Sequence, residues 1–255
     1  MSVSYITFGK MFRVIMTGTQ PLVWSQIFKN WKFGFAAFFS QNTLFKTRPL
    51  VGFIHALVAW GFSLYLAVNV IDVIYGFVPN FKFFPESLIG DVYRFFVDIF
   101  SVLVLIGVFY FLLRRFLLND SRLVIDEPVM LSEKAKKGML LDSLLVGSFI
   151  IIHIGSRFLS ASFEIALSGP DSSQPAANIV AGLWLGLPID TLHFLEHLTW
   201  WLALGLILAF LPYFPFSKHA HLFMGPLNIM ASVNRKSMAA IEAIDFEDEN
   251  LEQFG

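Results

Sequence analysis

Long uncharged runs separated by short polar ones dominate this chain. Residues 49–71 and 197–217 contain no Asp, Glu, Lys or Arg, and residues 92–113 and 140–167 carry only a few. At 1.5 Å per helical residue each run is long enough to cross a hydrocarbon layer of about 30 Å. The pattern predicts four spans, over about residues 49–72, 92–114, 140–167 and 190–217. Residues 1–46 mix Phe, Trp and Ile with Lys and Arg, as in Lys29-Asn30-Trp31-Lys32-Phe33, which predicts one or two amphipathic helices lying in the interface. Residues 76–90, with Pro79 and Pro85, and the turn-rich 169–175 read as loops. The apolar stretch 176–186 is too short to span and is expected to lie over the bundle as a lid. The fold class is therefore all-α: a polytopic membrane four-helix bundle with amphipathic N-terminal interfacial helices. The domains are 1–46 interfacial, 47–222 membrane-spanning and 223–255 a cytoplasmic tail ending in acidic Asp245–Glu249.

Composition agrees, with 56% hydrophobic residues and 30 Phe in 255. Mean hydropathy is +0.67. The net charge of −1 gives nucleic acid no purchase, but the charges are segregated. Lys10, Arg13, Lys29, Lys32, Lys46 and Arg48 precede the first span. Arg114, Arg115, Arg122, Lys134, Lys136 and Lys137 join the second to the third, whereas residues 73–91 and 168–190 hold only Lys82. The positive-inside rule then places both termini in the cytoplasm of a bacterial or archaeal cell, with the chain in its cytoplasmic membrane. No signal peptide is expected, because residues 1–30 lack a compact apolar core followed by a cleavage site. With no cysteine, disulfides and iron–sulfur ligation by this polypeptide are excluded.

Candidate chemistry lies with histidine. All six, His55, His153, His193, His197, His219 and His221, lie in or beside the apolar segments. Imidazole buried in hydrocarbon is costly and marks function. Without cysteine the fitting role is axial ligation of non-covalent heme b. His55 lies about 10 Å into the first helix from the cytoplasmic side, and His221 just past the cytoplasmic end of the fourth. His219 competes with His221, since two residues apart on a helix only one faces the bundle. His153 lies roughly 20 Å into the third helix, with Arg157 one turn later to meet a heme propionate or to pair with Glu164 or Glu196. His193 and His197 share a face at i and i+4, and the deeper His197 is the expected partner of His153. The same spacing suits zinc, but only Glu196 is near enough to assist. An unbroken fourth helix would separate His197 and His221 by about 36 Å, which implies two hemes unless Pro212 and Pro215 bend it. Arg94 and Asp98 are predicted to form an i,i+4 ion pair.

Two motifs extend this reading. Arg48-Pro49-Leu50-Val51-Gly52-Phe53-Ile54-His55 begins the first span, and Leu211-Pro212-Tyr213-Phe214-Pro215-Phe216-Ser217-Lys218-His219-Ala220-His221 follows the fourth. Together with Gly225-Pro226-Leu227-Asn228 they resemble the membrane cytochrome b related to the gamma subunit of respiratory nitrate reductase. The form resembled is the one fused to, or partnered with, heterodisulfide-reductase-like iron–sulfur proteins, over about residues 46–230. The resemblance implies that His55 and His221 ligate the heme nearer the cytoplasm. It departs at the outer heme, where this chain has Tyr65 or its neighbours and Ala203 in place of the family's histidines. His153 and His197 as replacements are an inference from depth. In fused relatives a cysteine-rich region follows, so either the partner is a separate polypeptide or this sequence is part of a longer one.

The expected function is electron transfer through two b hemes between a cytoplasmic iron–sulfur or flavoprotein partner and membrane quinone, with menaquinone taken from the resemblance. Quinone chemistry needs proton donors or acceptors, for which His193, Glu196, Asp190 and Glu164 are candidates. Two other classes remain open. One is a cofactor-free anchor docking a soluble oxidoreductase, and the other is proton-coupled transport.

Overall fold

The computed structural model describes residues 2–18, 23–78, 84, 87–118, 120–123 and 131–232. The prolines of the first loop, most of the 119–130 connector and the acidic stretch after residue 244 lie outside them. The described residues form α1 (Ser2–Ile15), α2 (Trp24–Lys29), α3 (Trp31–Ser40), α4 (Asn42–Thr47), α5 (Pro49–Phe77), α6 (Leu88–Leu112), α7 (Glu133–Ser168), α8 (Pro175–Ala181), α9 (Ile189–Phe210) and α10 (His221–Ser232). No strand occurs among them. The chain is all-helical, and α5, α6, α7 and α9 are long and apolar enough to cross a membrane.

Local chemistry sets the boundaries. Pro49 opens α5, where a missing N–H costs nothing. Ser87 and Ser132 cap α6 and α7 by accepting from Gly90 N and Ala135 N. α6 runs on through a π-helical turn, Leu113–Leu117. α9 stops at Phe210, short of the expected 217, because Pro212 and Pro215 cannot continue the helical ladder. The chain turns through two short 3₁₀ pieces, Phe214–Phe216 and Lys218–Ala220, and enters α10.

The core lies between α5, α6 and α7, around Tyr65, Val68, Val97, Val104, Val108, Val146, Ile150 and Ile154. Glycines allow the backbones to approach. A Cβ on Gly61 would fall 2.2 Å from Val104 Cγ2, and one on Gly147 would fall 2.6 Å from Leu112 Cδ2. α9 packs along α7 and closes the bundle.

The two ends of the bundle differ. At one, α8 lies against α6 and α7, with Ala177 and Ala181 fully buried and Trp184 Nε1 donating to Ser162 Oγ at 3.0 Å. At the other, α2 and α3 pack on α10, with Asn30 Nδ2 donating to Met230 O at 3.1 Å. α4 folds against the start of α5. The amino-terminal region is thus four short helices, not one or two.

Two ion-pair expectations are corrected. Arg94 does not pair with Asp98. It meets Asp91 at 2.6 Å and Asp171 at 2.8 Å. Asp98 instead accepts Ala176 N at 2.7 Å and Ala177 N at 2.9 Å, satisfying orphan donors at the start of α8. Arg157 pairs with Asp72 of α5 at 2.7 Å, not with Glu164 or Glu196.

Candidate functional site

His55, His153, His219 and His221 line one interior chamber of about 90 Å³, with Phe62, Tyr65 and Phe149 among its walls. Each arrives from a different piece of structure. His55 sits in the second turn of α5, and His153 in the middle of α7. His219 belongs to the last 3₁₀ piece, and His221 is the first residue of α10. The helix break after Phe210 brings both beside the bundle, with His219 buried and His221 exposed at its surface while lining the chamber. Asp142 of α7 holds that break in place, accepting Tyr213 Oη at 2.8 Å and Lys218 N at 3.2 Å.

Three of the four imidazoles are held in one tautomer. His55 Nδ1 donates to Gln41 Oε1 at 2.7 Å. His153 Nδ1 donates to the Ala203 carbonyl at 2.9 Å. His221 Nδ1 donates to the Lys218 carbonyl. Since those oxygens only accept, each Nδ1 carries a proton, and Nε2 is the nitrogen left to bind a metal in the neutral ring. His153 Nε2 is buried with no hydrogen-bond partner among the described residues. An outer nitrogen bonded to oxygen and an inner one free is the arrangement found in metal-ligating histidine. The His55 and His221 ring centroids are 6.3 Å apart. Two metal–nitrogen bonds of about 2 Å and two ring radii of about 1 Å span that gap.

His219 is the better buried neighbour of His221, packed between Phe62 at 5.0 Å and Phe210 at 5.4 Å. Burial, then the nearby His221 and Lys218, bring its pKa down to about 4, so it is neutral at ordinary pH. Phe210 stacks on Phe149 at 4.1 Å, and Phe149 stacks on His153 at 5.6 Å, so aromatic rings run from His219 to His153.

The chamber shares His55, Ala59, His221 and Leu222 with a second cavity of about 470 Å³ that lies between α3–α4 and α10. Small residues, among them Ala36, Ala37 and Gly225, leave that cavity open. The chamber alone is too small for a macrocycle, whereas the two cavities together flank the His55–His221 pair.

The structure does not bring His197 to His153. The His197 side chain is 71% exposed and its Nδ1 meets Glu196 Oε2 at 2.8 Å. His193 and Asp190 are also exposed on α9. Glu196 additionally accepts from Ser160 Oγ at 3.4 Å. Glu164 lines a polar cavity of about 90 Å³ at the α8 end, with Tyr65, Tyr93, Arg157 and Asp98. Tyr65 walls both this cavity and the histidine chamber, its hydroxyl 2.6 Å from Ser101 Oγ. No group of three or more His, Cys, Asp and Glu suited to a metal ion occurs among the described residues. Sequence reasoning missed Gln41, Asp72 and Asp142. An Asp in or beside an apolar run was a usable signal for Asp72 and Asp142, but nothing local marked Gln41.

Two curated proteins are similar to the chain. Over 220 residues it is 30% identical to a protein described as "Probable iron-sulfur-binding oxidoreductase FadF" from Bacillus subtilis (strain 168), covering 85% of this chain and 29% of that protein. Over 218 residues it is 25% identical to the "EtfAB:quinone oxidoreductase" of Syntrophomonas wolfei subsp. wolfei (strain DSM 2245B / Goettingen), covering 82% of this chain and 29% of that protein. The chain thus spans under a third of the length of the curated relatives it matches. No protein-family model and no solved structure matches it.

Proposed function

We propose that the chain is the membrane-spanning electron-transfer unit of a quinone-linked oxidoreductase, of the cytochrome b type related to the nitrate reductase gamma subunit. In this reading His55 and His221 hold a heme b. Electrons pass between membrane quinone, with menaquinone the first candidate, and an iron–sulfur protein of the heterodisulfide-reductase kind or a flavoprotein. The oxidoreductase relatives support the redox role. The observation that carries it is the pairing of His55 with His221, centroids 6.3 Å apart, each with Nδ1 committed to an oxygen.

Heme b bound there supplies a one-electron couple. The protein's own contribution is positional. Gln41 and the Lys218 carbonyl fix the two imidazoles, and Asp142 fixes the turn that presents His221. His153 is the further interior imidazole with a free Nε2, and thus the candidate ligand of a second heme. Its partner is open, because His197 is turned to Glu196 and His219 lines the chamber. Arg157, committed to Asp72, is not free for a propionate. For quinone, Glu164 is the candidate, since it lines the polar cavity with Tyr93 and Arg157 while also reaching the surface.

The test is heme content per chain by pyridine hemochrome assay on the full chain in detergent. The wild type is expected to show a reducible b-type spectrum. His55→Ala and His221→Ala should each remove one and the same heme, and the double variant should lose no more than either. His219→Ala should retain it. A colourless wild-type protein that still docks a soluble oxidoreductase would establish the cofactor-free anchor instead.

A further inference from the structure

We infer that Gln41 is the positioning residue that sets the electron-donating strength of His55. The inference rests on His55 being a heme ligand. Gln41 joins α3 to α4, and it has φ 44° and ψ 33°, the left-handed conformation that a non-glycine residue rarely adopts. Its backbone N donates to Ala37 O at 3.1 Å and its carbonyl accepts Leu44 N at 2.9 Å, so it ends one helix and begins the next. Its side chain is buried, and Oε1 accepts the His55 Nδ1 proton at 2.7 Å. Backbone strain held at one buried polar residue is a signature of a built site.

The surroundings hold that contact from both sides. A Cβ on Gly52, one turn before His55, would fall 2.9 Å from the Leu44 backbone, so α4 lies directly on α5. A Cβ on Gly34 would fall 2.6 Å from Met230 Cγ, so α3 is equally close to α10, the helix that begins at His221. Gln41 is thereby fixed relative to both imidazoles. An acceptor on Nδ1–H makes Nε2 a stronger donor, which favours the oxidised metal. A neutral amide oxygen does this moderately, a carboxylate does it strongly, and a missing side chain not at all.

The experiment is a redox titration of the full chain carrying Gln41→Glu or Gln41→Gly. Glycine adopts φ 44° without strain, so the second variant deletes the acceptor while easing the backbone. Gln41→Glu is expected to shift the reduced-to-oxidised ratio of the His55 heme about tenfold toward oxidised, roughly 59 mV downward. Gln41→Gly should shift it upward and weaken heme retention about tenfold. Asn42→Asp puts a charge on the same cavity wall without touching His55, and should move the potential less than Gln41→Glu. Equal shifts from Asn42→Asp and Gln41→Glu, shifts of one sign from both Gln41 variants, or no shift would overturn the inference while heme content left the proposed function standing. A wild-type chain without heme would overturn the proposed function itself.

Discussion

At the scale of single residues, the pair Arg157–Asp72 shows how a charge survives in an apolar helix. The two side chains are 21% and 11% exposed and meet at 2.7 Å, so each is the other's main compensation for lost water. Asp72→Leu, which leaves Arg157 unpaired, is expected to cost about 3 kcal/mol. The double variant Asp72→Leu/Arg157→Leu should recover part of that, since no lone charge remains. Thermal unfolding in detergent reads both, and a double variant worse than the single would refute the pairing as the cause. Depth was legible in the sequence and brought His55 and His153 forward as residues within their spans, and His221 as one just past the end of the fourth. Azimuth was not. His153 bonds to Ala203 O, and six residues, about 240° of helix rotation, separate that position from His197. His197 therefore faces away although its depth fits. The contacts of Gln41 and Asp142 were illegible for another reason. Their partners lie 14 and 71 residues away, and no local periodicity encodes such contacts.

Among the elements, α8 depends most on a single group. Its first amides are held by the Asp98 carboxylate, which is 3% exposed and accepts two N–H groups. An Asn at this position has one accepting oxygen, so one amide would be left without its partner. Asp98→Asn is expected to reduce hydrogen-exchange protection at Ala176 and Ala177 roughly tenfold, for about 1.4 kcal/mol, while amides in the middle of α7 keep theirs. Unchanged protection at both amides would show that apolar burial of Ala177 and Ala181 suffices. The four long helices were legible because twenty or more apolar residues permit little else. The end of the fourth was not, since Pro212 and Pro215 allow either a kink or a stop. The stop is what happens, and it buries His219 and leaves His221 exposed beside the chamber. The Arg94–Asp98 spacing likewise fits an intrahelical pair, but the orphan amides of α8 and the carboxylate of Asp171 compete better.

For the whole molecule, the basic connections and the α8 loop lie at opposite ends of the bundle, so the positive-inside rule predicts one sense of insertion. Because it contains no cysteine, a single introduced thiol reports its side without background. In cells treated with a membrane-impermeant maleimide, Ser172→Cys is expected to react directly and Lys134→Cys only after permeabilisation. Both positions are exposed, and the reverse result would invert the orientation. The cavity beside His55 has a further consequence, which concerns time. One wall is Gln41 and its neighbours, and the facing wall is His221 to Ile229. A ribosome adding about 5–20 residues per second therefore makes the first wall on the order of 10 s before the second. Until then His55 has its Gln41 contact but no opposite imidazole. Any molecule captured between the two walls must await the arrival of α10, so the order of synthesis sets the order in which the two walls of the site are made.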